Sequence, residues 1–495
     1  MSNRFGLVWA LIVIGPPGAS AQGAAPRDIV ARAVAAMGGE QALRGLTGIT
    51  TEFYGATFAI GQEETPASAA RANLVVGRTA TDYRGARQTG STELRVVAGV
   101  VNRLRRVTAG GIGMLETNGR QAPDNPATVA GVETGMRQAP ERLLLAGLDH
   151  PGALRPLPPK PWRGEPHDGV RYASGPDTLD LYFDRASGLL TVAETVTDDP
   201  ILGDRRTARW YTRWQATGGA GGAGGAGGGL KYPRQYDVAV NGRLQNHSVF
   251  TAVTVNPDLP DSLFVIPDSI TRRAQRSNPT PPPITVTLVE LAPGVWRAEG
   301  GSHHSLVVEQ PTRLVVVEGP QSAARSQAVL DTLRVRFPAK PVRLLVNTHH
   351  HWDHAGGVRG YLAAGIPVVT HRRNAALIRE IATARKTIAP DALSRRPTPP
   401  VIQTVDDSLV LGQGESRVVI YRLPTTHVEG MLAAYVPSAR LLFTSDVLTP
   451  GPTLAPIGSA ELLAFARARG IALERVAGGH GGVAGWGDVE RAGRQ

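Results

Sequence analysis

The sequence predicts two folded units, a mainly antiparallel β domain followed by an α/β unit in which two mixed sheets pack together with helices outside. Three observations carry this reading. From Ile49 to about Ile266, short alternating apolar runs are separated by Gly, Asp and Pro turns, as in antiparallel strands. Next, the run Ser277-Asn278-Pro279-Thr280-Pro281-Pro282-Pro283 makes a stiff, extended connector. Beyond it, four strand-like runs come in quick succession, and then helix and strand alternate.

The length of 495 residues is too great for one ordinary core. We read residues 1–21 as a leader, 22–270 as the β domain, 271–284 as the connector and 285–495 as the α/β domain. The leader carries Arg4, the apolar run Phe5 to Ile14, then Gly15-Pro16-Pro17-Gly18 and Ala19-Ser20-Ala21. A basic start, a short apolar core and a small-x-small cleavage site make a secretory signal peptide, so the expectation is an exported protein, periplasmic or secreted. No cysteine is present, so no disulfides brace the cores. The net charge of +11 comes almost wholly from scattered arginines, since Lys160, Lys231, Lys340 and Lys386 are the only lysines. Without a basic block, a nucleic-acid partner has little support.

In the first domain, Ile29, Val30, Ala33, Val34 and Met37 have helical spacing, and Gly38-Gly39 ends the helix. Leu179 to Phe183 alternates and turns at Asp184 to Gly188; Asn241-Gly242 marks a second, tight hairpin. The Gly/Ala tract 218–229 reads as a flexible loop. His150, His167 and His247 lack ligand-like spacing and are expected at surface or structural positions. In the second domain the strands are Thr285 to Leu291, Val295 to Ala298, Ser305 to Val308 and Leu314 to Val317, with a helix over 321–337. Further helices are expected over 358–364 and 373–386, and the Pro-rich stretch 395–400 reads as an exposed loop.

The chemistry concentrates at Asn347-Thr348-His349-His350-His351-Trp352-Asp353-His354-Ala355-Gly356-Gly357. It follows the apolar strand Val342 to Val346, so the histidines sit on a loop at a strand end. Side chains two apart on an extended loop point the same way; His349 and His351 can then grip one cation while Asp353 and His354 turn towards another. Three later residues also follow apolar runs: His427 after Val418 to Leu423, Asp446 after Leu441 to Phe443, and His480 within Gly478-Gly479-His480-Gly481-Gly482.

The pattern His-x-His-x-Asp-His, followed in order by His427, Asp446 and His480, resembles the metallo-β-lactamase superfamily. The resemblance implies an αββα sandwich for 285–495, with metal one on His349, His351 and His427, metal two on Asp353, His354 and His480, and Asp446 bridging. Imidazole and carboxylate without thiolate suit two zinc ions, though iron or manganese could fill such sites. It further implies a hydrolase in which a metal-activated hydroxide attacks an ester, lactone, thioester or amide-like carbonyl of a small molecule, with Asp353 as the catalytic residue orienting the nucleophile or relaying its proton. The absence of cysteine departs from the cysteine-liganded β-lactamases, and Asp446 from the histidine-rich class without a bridging acid. Glu318 stands where many relatives carry an aspartate. β-Lactamase, phosphodiesterase or nuclease, and a carrier with a vestigial metal domain are the alternative readings.

Met37-Gly38-Gly39-Glu40-Gln41-Ala42-Leu43 and the ending Asn256-Pro257-Asp258-Leu259-Pro260 resemble exported half-barrels akin to outer-membrane lipoprotein carriers. That likeness implies an open curved sheet over a helix, able to hold a hydrophobic ligand. Trp352 is expected to pack at the groove wall, and His303-His304 to lie at the surface.

Overall fold

The computed structural model describes residues 24–96, 99–217, 229–276 and 283–494. The expected leader, the Gly/Ala tract as far as Gly228 and the proline run as far as Pro282 lie outside the described residues. No helix among the described residues is long and apolar enough to cross a membrane.

Residues 48–255 build a 13-stranded antiparallel sheet. It consists of two meanders joined where the first strand, Gly48–Phe58, pairs with the last, Arg243–Val255. The Asn241-Gly242 hairpin forms as expected. Both residues have positive φ, 46° and 83°, as a primed turn requires. Helix Pro26–Met37 packs its Ile29, Val30, Ala33, Val34 and Met37 face into this sheet's core.

Helices Pro126–Arg137 and Pro140–Asp149 were not expected inside the β stretch. Each starts on a proline, whose missing N–H costs nothing at a helix start, and Asn125 caps the first by accepting from Ala127 N. Between the junction of these helices and the sheet lies a cavity of about 310 Å³, walled by Phe53, Tyr211, Tyr232, Tyr236 and Phe250. The stretch assigned to the connector is partly helical, since helix Asp268–Arg276 runs into it. Its Asp268 start and its Arg273 and Arg276 end complement the helix dipole.

The second half is two sheets face to face. One has seven strands, from Thr287–Ala292 to Ile402–Val405, antiparallel at first and parallel from Leu314–Val317 onward. The other has six, from Ser408–Leu411 to Val483–Gly485. Val315, Val317, Leu344 and Val346 of the first meet Ile420, Leu432, Ala434 and Phe443 of the second. Helices Ala323–Arg336, Val358–Ala363 and Ala375–Thr383 cover the outer face of one sheet, and Pro456–Arg469 with Trp486–Ala492 that of the other. This is the αββα layering the resemblance implied. Leu314–Val317 is buried at every position because both of its faces are covered, which explains the unbroken apolar run. The helices at 358–363 and 375–383 are shorter than the sequence suggested, and of the expected loop 395–400 all but Arg395, which ends the short helix Ala392–Arg395, lies outside helix and strand.

The halves dock tightly. Ile201, on a turn of the first sheet, is buried among the helix-side core residues of the second half. Asp204 N donates to Arg385 O at 2.6 Å, and Lys386 pairs with Asp198.

Arg359 fixes the loop after helix Ala375–Thr383. Its buried guanidinium donates to Ile381 O (2.6 Å), Ser394 Oγ (2.9 Å) and the Asp391 carboxylate. Burial raises the Asp391 carboxyl, but Arg359 and Ser394 outweigh it and hold it at about 2. Arg359→Met is expected to cost about 2 kcal/mol in denaturant unfolding, below the roughly 3–5 kcal/mol of a fully buried broken pair because Asp391 keeps some solvent. Since the folded-state pKa is depressed, this stabilisation is present above the ordinary aspartate pKa of about 4 and disappears as pH falls towards 2. The variant's deficit should therefore shrink over that window.

Candidate metal centre

Strand ends of both sheets deliver the site. Strand Val342–Val346 ends at Asn347, whose Nδ2 donates to His349 O (2.9 Å) while its Oδ1 accepts from Thr370 Oγ1 (3.0 Å). This pins the start of the histidine loop. The loop closes into the single turn Trp352–Ala355, where His354 N and Ala355 N both donate to His351 O. His349, His350, His351 and His354 are all almost wholly buried. His427, Asp446 and His480 arrive from the ends of Val418–Arg422, Leu441–Phe443 and Arg475–Ala477.

All seven residues singled out in the sequence converge. His349, His351, His427 and Asp446 form one group, and Asp353, His354 and His480, joined by His303, form a second; within each, the potential ligand atoms lie within 4.8 Å of one another. His427 Nε2 is 3.1 Å from His351 Nδ1. The Asp446 carboxylate stands between the groups. Its Oδ2 is 3.9 Å from His349 Nε2 and 3.4 Å from His427 Nε2; its Oδ1 is 2.9 Å from His354 Nε2 and 3.3 Å from His480 Nε2. Asp353 Oδ2 is 3.5 Å from His354 Nε2 and 4.0 Å from His480 Nε2.

Burial, with the neighbouring His354 and His351, pushes His349 well below the ordinary histidine range; burial with His427 and His350 brings His351 down to about 3. Both are neutral imidazoles at physiological pH, as ligation requires. Burial raises the Asp446 carboxyl, yet His354 and His427 hold it far below the usual range; Asp353 is likewise held low against burial by His303, His354 and Gln62. His354 goes the other way, because Glu318 and Asp446 overcome the effect of its burial.

Whether these residues suit a cation can be judged from their unmet bonds. His349 Nε2 is wholly buried with no hydrogen-bond partner, and His354 Nε2 and Asp446 Oδ1 face each other at 2.9 Å beside it. A buried ligand atom without a partner, aimed at a carboxylate 3.9 Å away, is costly unless a cation satisfies it. An all nitrogen and oxygen donor set fits a divalent ion of the zinc, iron or manganese kind.

Two further residues belong to the site. Glu318, wholly buried at the end of Leu314–Val317, accepts from Thr348 Oγ1 (2.7 Å) and Ser445 Oγ and sits 3.0 Å from His354 Nδ1. It orients His354, and its φ of 78° is a strained conformation of the kind that collects at functional sites. His303 is not at the surface as expected. It is 93% buried, 3.3 Å from Asp353 Oδ2, with its ring 4.0 Å from that of His480. Its signal in the sequence was only a histidine pair before a strand. Trp352 packs at the wall, half-buried, against the second domain's core.

Residues 298–480 match the family model described as the metallo-beta-lactamase superfamily. Among curated proteins, the alpha subunit of 2,4-dinitroanisole O-demethylase from Nocardioides sp. (strain JS1661) is 26% identical over 159 residues, which is 32% of this chain and 45% of that protein. The match thus spans less than half of that relative. Similar solved structures include a metallo-beta-lactamase from Pontibacter korlensis (17% identity, TM-score 0.34, covering 42% of this chain and 98% of that one). Another is the metallo-beta-lactamase FIM-1 from Pseudomonas aeruginosa in its mono-zinc form (17% identity, TM-score 0.33, 43% and 96%).

Proposed function

We propose that the protein is an exported hydrolase with two metal ions, zinc by preference, acting on an ester, lactone, thioester or amide-like bond of a small molecule. The observation that carries this is the Asp446 carboxylate, which turns one oxygen to each group of histidines. His349, His351 and His427 would hold one ion, Asp353, His354 and His480 the other, with Asp446 shared. Bound divalent ions would polarise the scissile group and lower the pKa of a water from near 16 to about 7. The chain's own residues do the rest. Asp353, kept ionised, orients the attacking water or takes its proton; His303 steadies the Asp353 carboxylate; Trp352 walls the groove.

The test is turnover by zinc-loaded mature protein of a panel: a lactone, a thioester, a chromogenic β-lactam, a phosphodiester and, because of the O-demethylase relative, 2,4-dinitroanisole. Lactone or thioester turnover is the expected result. Turnover of the β-lactam or phosphodiester alone would redirect the reading to those branches, and turnover of the ether would place the substrate class with the relative. The aromatic cavity supports a second role for the first domain, binding of a hydrophobic ligand. Co-purified lipid would bear it out, and a cavity that takes up no apolar probe would remove it.

A further inference from the structure

We infer that the loop 59–71 of the N-terminal β domain is a working part of the metal centre, with Gln62 and the Glu63 carbonyl as positioning residues for Asp353 and His351. This inference rests on the metal reading above. The loop joins strands Gly48–Phe58 and Ala72–Asp82, nearly three hundred residues before the histidine loop, and it lies directly on that loop.

Gln62 Nε2 donates to Asp353 Oδ1 at 2.9 Å. The other oxygen, Oδ2, faces His354, His480 and His303, so Gln62 holds the carboxylate by its outer atom and leaves the inner one turned to the histidines. Glu63 O lies 2.9 Å from His350 Nε2 and 3.1 Å from His351 Nε2. A carbonyl can only accept, so His351 carries its proton on Nε2 and turns the lone pair of Nδ1 to the cluster. The tautomer of this ligand is therefore set by the other domain. By contrast, His354 is oriented from within its own domain by Glu318.

The loop is held at both ends of this contact. The Glu63 carboxylate, almost wholly buried, accepts from Gly61 N (2.9 Å) and pairs with Arg243 of the large sheet. On the other side, Trp352 N donates to Gly61 O (3.2 Å), Glu429 N to Glu64 O (2.9 Å) and Arg71 to His427 O (3.1 Å). Gly61 has φ 85°, and a Cβ there would overlap the Trp352 indole. Outer partners of metal-binding histidines and carboxylates tune affinity by about 10–100-fold, so the first domain controls the strength and geometry of the metal site.

The test uses the full-length mature chain, stripped of metal and titrated with cobalt(II) followed by absorbance and with zinc followed by calorimetry. Gln62→Ala is expected to weaken one of two bound ions about 10–100-fold and leave the other unchanged. Gly61→Val, which pushes the loop off Trp352, should weaken both and alter the cobalt spectrum. Metal-free thermal unfolding of Gln62→Ala should match wild type, which separates positioning from stability. Two ions bound with wild-type affinity and spectrum in both variants would overturn the inference alone. A wild-type chain that binds no ion would instead overturn the metal reading on which it stands.

Discussion

Asp446→Ala is expected to lower kcat/KM by about 10³-fold or more and to remove at least one ion from the chain. The magnitude follows from the site's geometry. Asp446 has ligand atoms of His349, His354, His427 and His480 within 3.9 Å, so its loss strips both groups of their shared negative charge. Several kcal/mol of charge stabilisation at a metal centre corresponds to about three powers of ten in rate. The carboxylate is held ionised far below the usual range, so at neutral pH no protonated form of the wild-type group mimics the variant. Asp446→Asn, which keeps the shape but not the charge, should behave like Asp446→Ala in activity. Steady-state kinetics with metal analysis of each variant checks this.

Glu318→Ala should be costly in a different way. The residue is wholly buried and gathers Thr348 Oγ1, Ser445 Oγ and His354 Nδ1. Removing it strands two hydroxyls and the buried His354 imidazole that the carboxylate orients. Breaking such a buried pair costs about 3–5 kcal/mol, read by denaturant unfolding of the metal-free protein. Zinc binding should weaken about 10–100-fold because His354 loses its orienting partner. Glu318→Asp keeps the charge on a shorter arm and should recover much of the stability but less of the zinc affinity. Equal affinity in both variants and wild type would show that Glu318 is only a packing group.

The candidate ligands were legible because each lies just past an apolar strand, in short motifs whose spacing survives without knowledge of the fold. The layering of 287–485 was legible for a related reason: runs such as Leu314–Val317, buried on both faces, can only be interior strands. Helices 126–137 and 140–149 were not: the first is mostly small and polar residues and the second gathers its leucines in one short run, Leu143 to Leu145, so neither shows a long periodic stripe and only their proline starts mark them. His303 and Gln62 were hidden for a physical reason. Their importance comes from contacts with Asp353 across 50 and 291 residues of chain, and no local pattern encodes those. Glu318 was visible as a departure from its relatives' aspartate, but only the fold showed that its longer arm reaches His354.

In the proposed centre, two groups of ligands share one carboxylate around two ions. Metal content of the purified protein, measured by mass spectrometry after exhaustive dialysis and zinc reloading, tests this. Two zinc ions per chain are expected in wild type and at most one in Asp446→Ala. No bound metal in wild type, or two ions retained by Asp446→Ala, would contradict it.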